Sequence, residues 1–354
     1  MGNSKMKAAV LYGVHDVRIE EVDIPILESE DEVIVKLKAT GVCPTDVRKY
    51  SGLSSPTKGF PAILGHEGSG VVAKTGKLAK KYVNEGQRVA IMPDWPCGYC
   101  ESCRLGKTVE ISVEMCENIQ GELSFDKDGT FAEYVKVPYN ALFPIPENVS
   151  FEEAALVEPV ACCLNAVEWG AQVTEGQKVL IIGSGFMGVA TAQLCKIRGA
   201  SVIISDMDEV KLKAAKEIGA DIIVNINKEN LEKAIKDFTN GKGVDSVIVA
   251  VGGKGPLEDA LMAVRKGGRI VLLGSYHPPI KWEIDPNFFH YNMVTLTGIE
   301  GYSVSQFQKV ISLISMGIFK AKPLISDIFK LEDIEKAFKM VEKSQGLRKV
   351  VVFD

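Results

Sequence analysis

The chain has 354 residues, a charged fraction of 25% and a formal net charge of −5. This length allows two domains, and the composition is that of a soluble globular protein. The acidic balance argues against a basic surface for nucleic acid or anionic membrane, and no apolar run reaches the roughly 20 residues of a membrane helix. Residues Met1 to Lys7 are polar and lack the apolar region of a signal peptide, so we expect a cytoplasmic protein.

The first part of the chain, from residue 7 to about 150, contains short alternating apolar runs. Examples are Glu32 to Lys38, Gly86 to Ile91 and Phe131 to Val137. Alternation with a period of two is typical of half-buried strands. These runs predict a β-rich domain, which we interpret as a compact barrel. At its end, Ser150 and Glu153 form a capping-box pattern that predicts the start of a helix.

Three candidate metal ligands lie in this β-rich part. Cys43 is in a turn-like stretch, and His66 and Glu67 are flanked by the glycines of the segment 65–70. Another carboxylate, Glu158, lies in an apolar segment where it would be costly without a partner. A lone histidine or cysteine is usually structural, but thiolate, imidazole and carboxylate together are the ligands of a catalytic zinc with one open position.

A second candidate metal site is formed by cysteines alone. Four of the eight cysteines follow a C-x2-C-x2-C pattern that a more distant fourth completes: Cys97, Cys100, Cys103 and Cys116. Without a secretory signal, this spacing predicts a closed structural zinc site, and the alternative is a redox or free-thiol cluster. Three others fall in apolar helical segments and are predicted core thiols: Cys162, Cys163 and Cys195.

From about residue 178, apolar strands alternate with helices, which predicts a doubly wound parallel sheet. The predicted strands are Lys178–Ile182, Ser201–Ser205, Asp221–Asn225, Val244–Val251, Arg269–Leu273 and Met293–Ile299. The predicted helices are the run to Arg198, Val210–Ile218, about 229–239 and about 256–265. Two amphipathic helices (about 303–316 and 332–344) and a strand, Lys349–Phe353, complete the chain.

A glycine-rich loop follows the first of these strands. It reads Gly183-Ser184-Gly185-Phe186-Met187-Gly188 and opens a helix, which is the context of a dinucleotide-binding loop. Asp206 ends the next strand, where a carboxylate would bind the ribose hydroxyls and repel a 2′-phosphate. We therefore expect NAD(H) rather than NADP(H), although Asp206 could also be a plain helix cap. Zinc beside a hydride carrier implies alcohol–carbonyl interconversion.

These motifs occur in an order that resembles the medium-chain zinc-dependent alcohol and polyol dehydrogenases. The family's signature G-H-E-x2-G-x5-G runs from Gly65 to Gly76. The resemblance covers nearly the whole chain and implies an α/β fold of two domains. A GroES-like catalytic domain (1–155 and 300–354, with a structural zinc lobe at about 95–118) would flank a Rossmann domain (156–299). The active site would lie in the cleft between these domains.

The resemblance also implies two zinc ions per chain, one catalytic and one structural. Cys43 and His66 would bind the catalytic zinc, and the next ligand would be Glu67 or Glu158. In sorbitol-dehydrogenase-like members the glutamate after the histidine binds zinc, and the Glu-Pro carboxylate contacts the zinc or its water. Because Glu158 is followed by proline, the chain resembles the polyol, sugar and threonine dehydrogenases. The choice between the two glutamates stays open.

The resemblance implies catalytic roles for three residues that follow Cys43, namely Thr45, Asp46 and Arg48. Thr45 takes the position of the family's proton relay, with a simple turn hydroxyl as the alternative. Asp46 would orient His66. Arg48 stands where many relatives have histidine, and it cannot shuttle protons at neutral pH. We expect it to face a cofactor phosphate or an anionic group of the substrate instead.

Further positions match family sites for the cofactor and substrate. The implied cofactor residues are Lys211 near the ribose, Leu273, Gly274 and Ser275 beside the nicotinamide, and Arg348 at the pyrophosphate. For Arg348 a surface arginine is the alternative. Asp94 and Trp95 match the substrate pocket, where a carboxylate beside an aromatic ring suits a polyhydroxylated substrate. Their alternative is a position on the surface of the cysteine lobe.

The expected activity is the reversible, zinc- and NAD-dependent oxidation of a secondary alcohol, with a small-molecule polyol or sugar as substrate. The alternatives are a simple secondary alcohol or L-threonine, and, more distantly, a non-catalytic NAD(H)-binding protein like the crystallin-type relatives. We expect no nucleic-acid or membrane partner. The apolar strand Met293–Ile299 resembles the family's dimer edge and suggests a homodimer or homotetramer.

Overall fold

A computed structural model describes residues 4–105 and 112–354. The chain divides into two compact units. The first comprises Met1–Pro159, Ser303–Gly317 and Ala321–Asp354, and the second comprises Val160–Tyr302 and Ile318–Lys320. The domain boundaries expected from the sequence stay a prediction. The sequence has twelve residues between Cys103 and Cys116, more than the seven usual in the family that it resembles, and 106–111 of this segment lie outside the described residues.

The described chain contains sixteen strands. They are β1 Lys5–Gly13, β2 Asp16–Asp23, β3 Glu32–Val42, β4 Ala62–Ile63, β5 Glu67–Thr75, β6 Arg88–Ile91, β7 Tyr134–Pro138, β8 Leu142–Pro144, β9 Lys178–Ile182, β10 Ser201–Asp206, β11 Ile222–Asn225, β12 Val244–Val249, β13 Val264–Leu272, β14 Thr295–Gly298, β15 Ile325–Lys330 and β16 Arg348–Val352.

Eleven α-helices accompany these strands in the described residues. They are α1 Pro44–Tyr50, α2 Glu101–Leu105, α3 Phe151–Ala154, α4 Val157–Asn165, α5 Phe186–Ile197, α6 Glu209–Ile218, α7 Leu231–Thr239, α8 Lys254–Ala263, α9 Pro286–Asn292, α10 Val304–Ser315 and α11 Ile334–Glu342. The predicted capping box at Ser150 is present at the start of α3. None of these helices is long and apolar enough to span a membrane.

The first unit is built on two sheets. A three-stranded antiparallel sheet has the order β2-β1-β4, and a seven-stranded sheet has the order β15-β16-β3-β5-β6-β8, with β7 paired to β3. The eleven-residue strand β3 is the centre of the larger sheet, because β5 pairs along one edge while β7 and β16 share the other. Its carboxyl end leads directly into α1.

The stretch 41–46 around Cys43 was expected to be turn-like, and the structure corrects this: it is the end of β3 followed directly by the first residues of helix α1. Cys43 caps the helix and Pro44 takes its first position, where the missing amide hydrogen costs nothing. Tyr50, at the other end, is fully buried and packs against Phe338 of α11 with ring centroids 5.0 Å apart. This contact packs the end of α1 against α11.

The second unit is a six-stranded parallel sheet with the order β11-β10-β9-β12-β13-β14. In chain order this is the 3-2-1-4-5-6 arrangement of dinucleotide-binding sheets, with its switch point between β9 and β12. Strand β13 begins at Val264 rather than at the predicted Arg269, because Val264 pairs with Val244 across a register shift. The loop after β9 therefore lies at the carboxyl edge where ligands bind in such sheets.

Candidate active site

The pairing of β3 with β5 brings the predicted metal ligands together. Gly41 pairs with Glu67, so Cys43 after β3 lies close to His66 before β5. A Cβ atom on Gly41 would lie 1.9 Å from Glu67 Oε2. Position 41 therefore has to be glycine for the Glu67 carboxylate to occupy this place.

One ligand atom each from Cys43, His66 and Glu67 lie within 4.8 Å of one another. His66 is 7% exposed and Glu67 is fully buried. Neither carboxylate oxygen of Glu67 accepts a hydrogen bond from the residues described, although Arg348 Nη1 forms an ion pair 3.2 Å from Oε1. A buried carboxylate with unused lone pairs beside a thiol and an imidazole fits the donor set of zinc.

Charges around this cluster favour the metal-binding form of the thiol. Burial opposes ionisation of Cys43, but the charge and hydrogen bond of His66 outweigh it and lower the pKa of the thiol to about 7. Burial also opposes ionisation of Asp46, yet His66 and then Lys49 lower the pKa of that carboxyl to about 2. Asp46 is therefore a carboxylate throughout the neutral range.

Asp46 connects several elements of this site. Its Oδ1 lies 3.3 Å from His66 Nδ1 and accepts hydrogen bonds from Gly65 N at 3.1 Å and Ser124 Oγ at 2.9 Å. Its Oδ2 accepts from Cys43 N at 3.3 Å. The carboxylate thus contacts the backbone of one candidate ligand and the ring of another.

Glu158 lies at the start of α4 and does not belong to the three-residue ligand set found in the described chain. Burial raises its pKa to about 8; His66 opposes this shift, and the Glu67 and Asp94 carboxylates add to it. Burial likewise raises the pKa of Glu67 to about 8, against the opposing charge of Arg348. Both carboxylates are therefore costly to ionise without a cation, which a divalent metal would supply.

Thr45 and Arg48 are in contact on α1. Arg48 Nη2 donates a hydrogen bond to Thr45 Oγ1 at 2.8 Å. Both side chains are half-buried. The hydroxyl at the expected relay position is therefore held by the arginine that replaces the usual histidine.

Arg348 lies beside the candidate metal ligands. It is 3% exposed, which excludes the alternative of a surface arginine. Its Nη1 lies 3.2 Å from Glu67 Oε1 and donates to Val42 O at 3.1 Å. The expected contact with the cofactor pyrophosphate stays a prediction.

Four sulfur atoms converge in the cysteine lobe. One Sγ each from Cys97, Cys100, Cys103 and Cys116 lie within 4.8 Å of one another. Cys97 and Cys103 are 3.9 Å apart at sulfur, and Cys100 and Cys116 are 4.0 Å apart. A tetrahedron with zinc–sulfur bonds of about 2.3 Å needs roughly 3.8 Å, whereas a disulfide needs about 2.05 Å. The geometry fits a closed zinc site and not a disulfide pair.

Asp94 and Trp95 are buried, at 9% and 8% exposure, and so do not lie on the surface of the lobe. The segment that follows Cys116 packs against them, since Trp95 N donates to Gly121 O and a Cβ on Gly121 would lie 2.4 Å from the indole ring. The indole Nε1 donates no hydrogen bond to any described residue.

In the second unit, the glycine-rich loop has the geometry of a dinucleotide cradle. Gly183 has φ +102°, a conformation that glycine adopts readily. A Cβ on Gly188 would lie 1.9 Å from Gly183 O, so glycine there lets the helix α5 approach the strand. A Cβ on Gly185 would meet no atom within 4 Å. The open space at Gly185 is where a pyrophosphate would approach the backbone.

Other expected cofactor residues surround this edge of the sheet. Asp206 accepts hydrogen bonds from Ser184 N and Oγ and from the backbone amides of Met207 and Asp208. Burial opposes its ionisation, but these donors lower its pKa. Lys211 Nζ lies 3.7 Å from Asp208 Oδ2.

The segment 273–275 follows β13 directly, and the backbone amides of Leu273 and Gly274 donate to Val249 O. Phe186 is buried and Met187 half-buried at the start of α5.

Comparison with known proteins agrees with this geometry. Residues 29–147 match the alcohol dehydrogenase GroES-like domain, and residues 187–316 match the zinc-binding dehydrogenase family. The sorbitol dehydrogenase of Bacillus subtilis (strain 168) is 33% identical over 337 residues, which cover 94% of this chain and 92% of the relative. The D-xylulose reductase A of Aspergillus oryzae (strain RIB 40) is 30% identical over 349 residues, covering 97% and 95%.

The chain belongs to the medium-chain zinc-dependent polyol dehydrogenase family. A crystal structure of a zinc-binding dehydrogenase from Sinorhizobium meliloti 1021, bound to NADP, is also similar, with a TM-score of 0.89 and 29% identity. That likeness covers 99% of this chain and 100% of the other. The predicted resemblance and fold class are confirmed: this dehydrogenase combines a GroES-like β-rich part with a parallel Rossmann sheet.

Sequence reasoning missed two features of this dehydrogenase near the candidate metal site. The first is the ion pair of Arg348 with Glu67, which joins residues far apart in the chain and leaves no local signal. The second is the buried Lys49, whose ammonium contacts Ser124. Lys49 follows Asp46 by three residues on α1, and this spacing could have predicted that the two side chains lie on the same face of the helix.

Proposed function

We propose that this dehydrogenase reversibly oxidises a secondary alcohol of a polyol or sugar, with zinc as the catalytic metal and NAD⁺ as the acceptor. The observation that carries the proposal is the convergence of Cys43, His66 and Glu67 within 4.8 Å. The two curated relatives described above act on sorbitol and xylulose by name. When bound, zinc polarises the alcohol oxygen and NAD⁺ accepts the hydride.

Cys43, His66 and Glu67 would hold the catalytic zinc. Glu67 is favoured over Glu158 as the direct ligand because its carboxylate belongs to the three-atom cluster. Glu158, whose pKa His66 and the Glu67 carboxylate both influence, would contact the zinc or its water, as the family resemblance implies. Asp46 would keep the His66 ring oriented, since a carboxylate on the second ring nitrogen fixes the tautomer of a ligating histidine.

Thr45 would receive the proton of the substrate alcohol. Arg48 occupies one acceptor position of Thr45 Oγ1, so the other acceptor position can take the alcohol hydrogen. The hydrogen of Thr45 itself must then point away from Arg48. Because a guanidinium has no acceptor, Thr45 would release its own hydrogen, as the alcohol proton arrives, to an acceptor other than Arg48, which the family resemblance places among the ribose hydroxyls of the bound cofactor. In this proposal Arg48 orients Thr45 and is not a relay.

Asp94 and Trp95 would contact the hydroxyl groups of the substrate. Both are buried, and the indole Nε1 is a donor that no described residue uses. A carboxylate acceptor and an indole donor together can bind a polyol, whereas a simple alcohol offers one hydroxyl only. This pair supports a polyhydroxylated substrate over a simple secondary alcohol.

The experiment that tests the proposal is NAD⁺ reduction across polyols, sugars, simple secondary alcohols and L-threonine, with a chelator-treated sample as control. We expect turnover to favour a polyol or sugar and to disappear when zinc is removed. Preference for a simple alcohol or L-threonine would overturn the substrate class. Zinc-loaded protein that binds NADH but oxidises none of the panel would favour a non-catalytic role.

We propose that the second zinc, bound by the four lobe cysteines, is structural. The Cys100→Ser variant is expected to lower the bound zinc from about two to about one per chain and to lower the melting temperature by several degrees, because a closed zinc site contributes folding energy. Metal analysis and calorimetry measure both. Cys162→Ser is the matched control with unchanged zinc content. Zinc content of Cys100→Ser equal to the parent would contradict the assignment.

We propose a preference for NAD(H), which rests on the Asp206 carboxylate at the end of β10. Asp206→Asn should reduce the ratio of kcat/KM for NAD⁺ over NADP⁺ by roughly 10- to 100-fold, because repulsion of a 2′-phosphate is lost. The control is Asp237→Asn, at an exposed position of α7, where the ratio should not change. A parent enzyme that already prefers NADP⁺ would contradict the role of Asp206.

We propose a homodimer or homotetramer and a cytoplasmic location. Strand β14 is the last strand of the parallel sheet and its residues are largely exposed. An exposed sheet edge of this kind can pair with a second copy. Light scattering of the purified chain distinguishes these states from a monomer.

A further inference from the structure

Lys49 is a buried cation next to the candidate zinc site. It lies on α1 and is 1% exposed, whereas lysine is almost never fully buried without partners. Its Nζ donates to Ser124 O at 2.7 Å and to Ser124 Oγ at 3.2 Å. The ammonium also lies 3.3 Å from the centroid of the Phe125 ring, a cation–π contact. All these contacts are to one short segment, Glu122–Lys127, which we name the strap.

Ser124 in the strap has an unusual backbone. It has φ +71° and is 1% exposed, and a non-glycine residue in this region is strained. Its hydroxyl donates to Asp46 Oδ1 at 2.9 Å, and its amide donates to Lys127 O. Strain of this kind persists only where the surroundings hold the residue in place. Here Lys49 holds the carbonyl and Asp46 holds the hydroxyl.

Two hydrogen bonds link Lys49 to Asp46 through the Ser124 hydroxyl, and the donor of each is fixed. An ammonium only donates, so Ser124 Oγ accepts from Lys49 and its own hydrogen is directed to the Asp46 carboxylate. Asp46 Oδ1 in turn lies 3.3 Å from His66 Nδ1. A continuous series of contacts therefore leads from Lys49 through Ser124 and Asp46 to a candidate zinc ligand.

We propose that Lys49 is a positioning residue of the catalytic zinc site, which acts through Ser124 to fix the Asp46 carboxylate and thereby the imidazole of His66. This inference rests on the proposed function, because it assumes that zinc binds at His66. Lys49 contacts neither substrate nor metal in this role. A lysine that only filled the core would affect stability and leave metal binding unchanged.

The test is the affinity for Co²⁺, titrated into the metal-free full-length chain and read from the visible bands of thiolate-bound cobalt. The bands that are missing in Cys43→Ser identify the catalytic site, and those that stay belong to the four-cysteine site. Lys49→Met is expected to weaken Co²⁺ binding at the catalytic site by about 10- to 100-fold and to shift its bands. Loss of a hydrogen-bonded group that orients a metal ligand has effects of this size. Binding at the four-cysteine site should stay unchanged.

Two further variants separate positioning from stability. Ser124→Gly removes the hydroxyl while suiting the positive φ, so it tests the same path if Lys49→Met folds poorly. It should weaken Co²⁺ binding at the catalytic site by a similar factor. The double variant should have the same Co²⁺ affinity as the single variant that binds less tightly, because both substitutions act on one path. Lys349→Met removes another fully buried lysine and is the control: it should change stability but not Co²⁺ affinity.

The outcomes are distinguishable. Parent-like Co²⁺ affinity and bands in both Lys49→Met and Ser124→Gly would overturn the inference and leave the proposed function intact. If the parent chain itself shows no Cys43-dependent bands, the proposed function fails, and the inference fails with it. Additive losses in the double variant would also overturn the path through Ser124.

Discussion

Replacing His66 with alanine is expected to lower kcat/KM for alcohol oxidation by about 10³-fold or more. The ring is buried beside Cys43 and Glu67, and its loss would leave the proposed zinc with two of its three side-chain ligands. Lewis-acid stabilisation of the developing alkoxide is worth several kcal/mol, and each 1.36 kcal/mol is a factor of ten in rate. The same variant should bind about one zinc per chain, at the cysteine lobe.

Steady-state kinetics on the best substrate of the panel and metal analysis measure this effect. His290→Ala, at an exposed position of α9, is the matched control and should keep both activity and zinc content. NADH affinity of His66→Ala should stay near that of the parent, since the glycine-rich loop is untouched. A His66→Ala enzyme with full zinc content and full turnover would show that the metal is not held by this residue.

The second large effect is expected at the glycine-rich loop. Gly185→Ala should fold normally, because the added Cβ meets no atom within 4 Å and φ is −67°. It should nevertheless weaken NADH binding by roughly 10- to 100-fold, because the methyl group occupies the space through which the pyrophosphate approaches the backbone. Fluorescence titration with NADH and thermal unfolding measure the two quantities separately.

Gly188→Ala provides the contrast. Its Cβ would lie 1.9 Å from Gly183 O, so this variant should lower the melting temperature by several degrees before any cofactor is added. The two neighbouring substitutions thus separate a glycine needed for the ligand from a glycine needed for packing. NADH affinity of Gly185→Ala equal to that of the parent would contradict the proposed cradle.

Much of the parallel sheet could be predicted because its signals are local. Strand β9 was predicted with its observed bounds, since four consecutive apolar residues lie between a lysine and a glycine turn. Helix α6 begins one residue before its predicted start, where Asp208 accepts from the amides of Val210 and Lys211. Period, caps and glycine turns are properties of neighbouring residues, so the sequence alone reveals them.

The candidate zinc site was predictable in its members and not in its surroundings. The sequence motifs indicated Cys43, His66 and Glu67 as candidate ligands. These residues lie close together because Gly41 pairs with Glu67, and this strand register depends on the whole sheet. Contacts such as Arg348 with Glu67 and Lys49 with Ser124 join distant segments. No local pattern encodes such pairs, so only the folded structure reveals what surrounds the ligands.

The most direct test of the central claim is anomalous diffraction at the zinc edge from crystals of the full chain purified without added metal. The account predicts two peaks per chain: one among the four lobe cysteines, and one bonded at about 2.0–2.3 Å to Cys43, His66 and Glu67. A peak bonded to Glu158 instead of Glu67 would change the ligand set only. Absence of zinc between Cys43 and His66, with the lobe site filled, would contradict a zinc-dependent dehydrogenase mechanism for this chain.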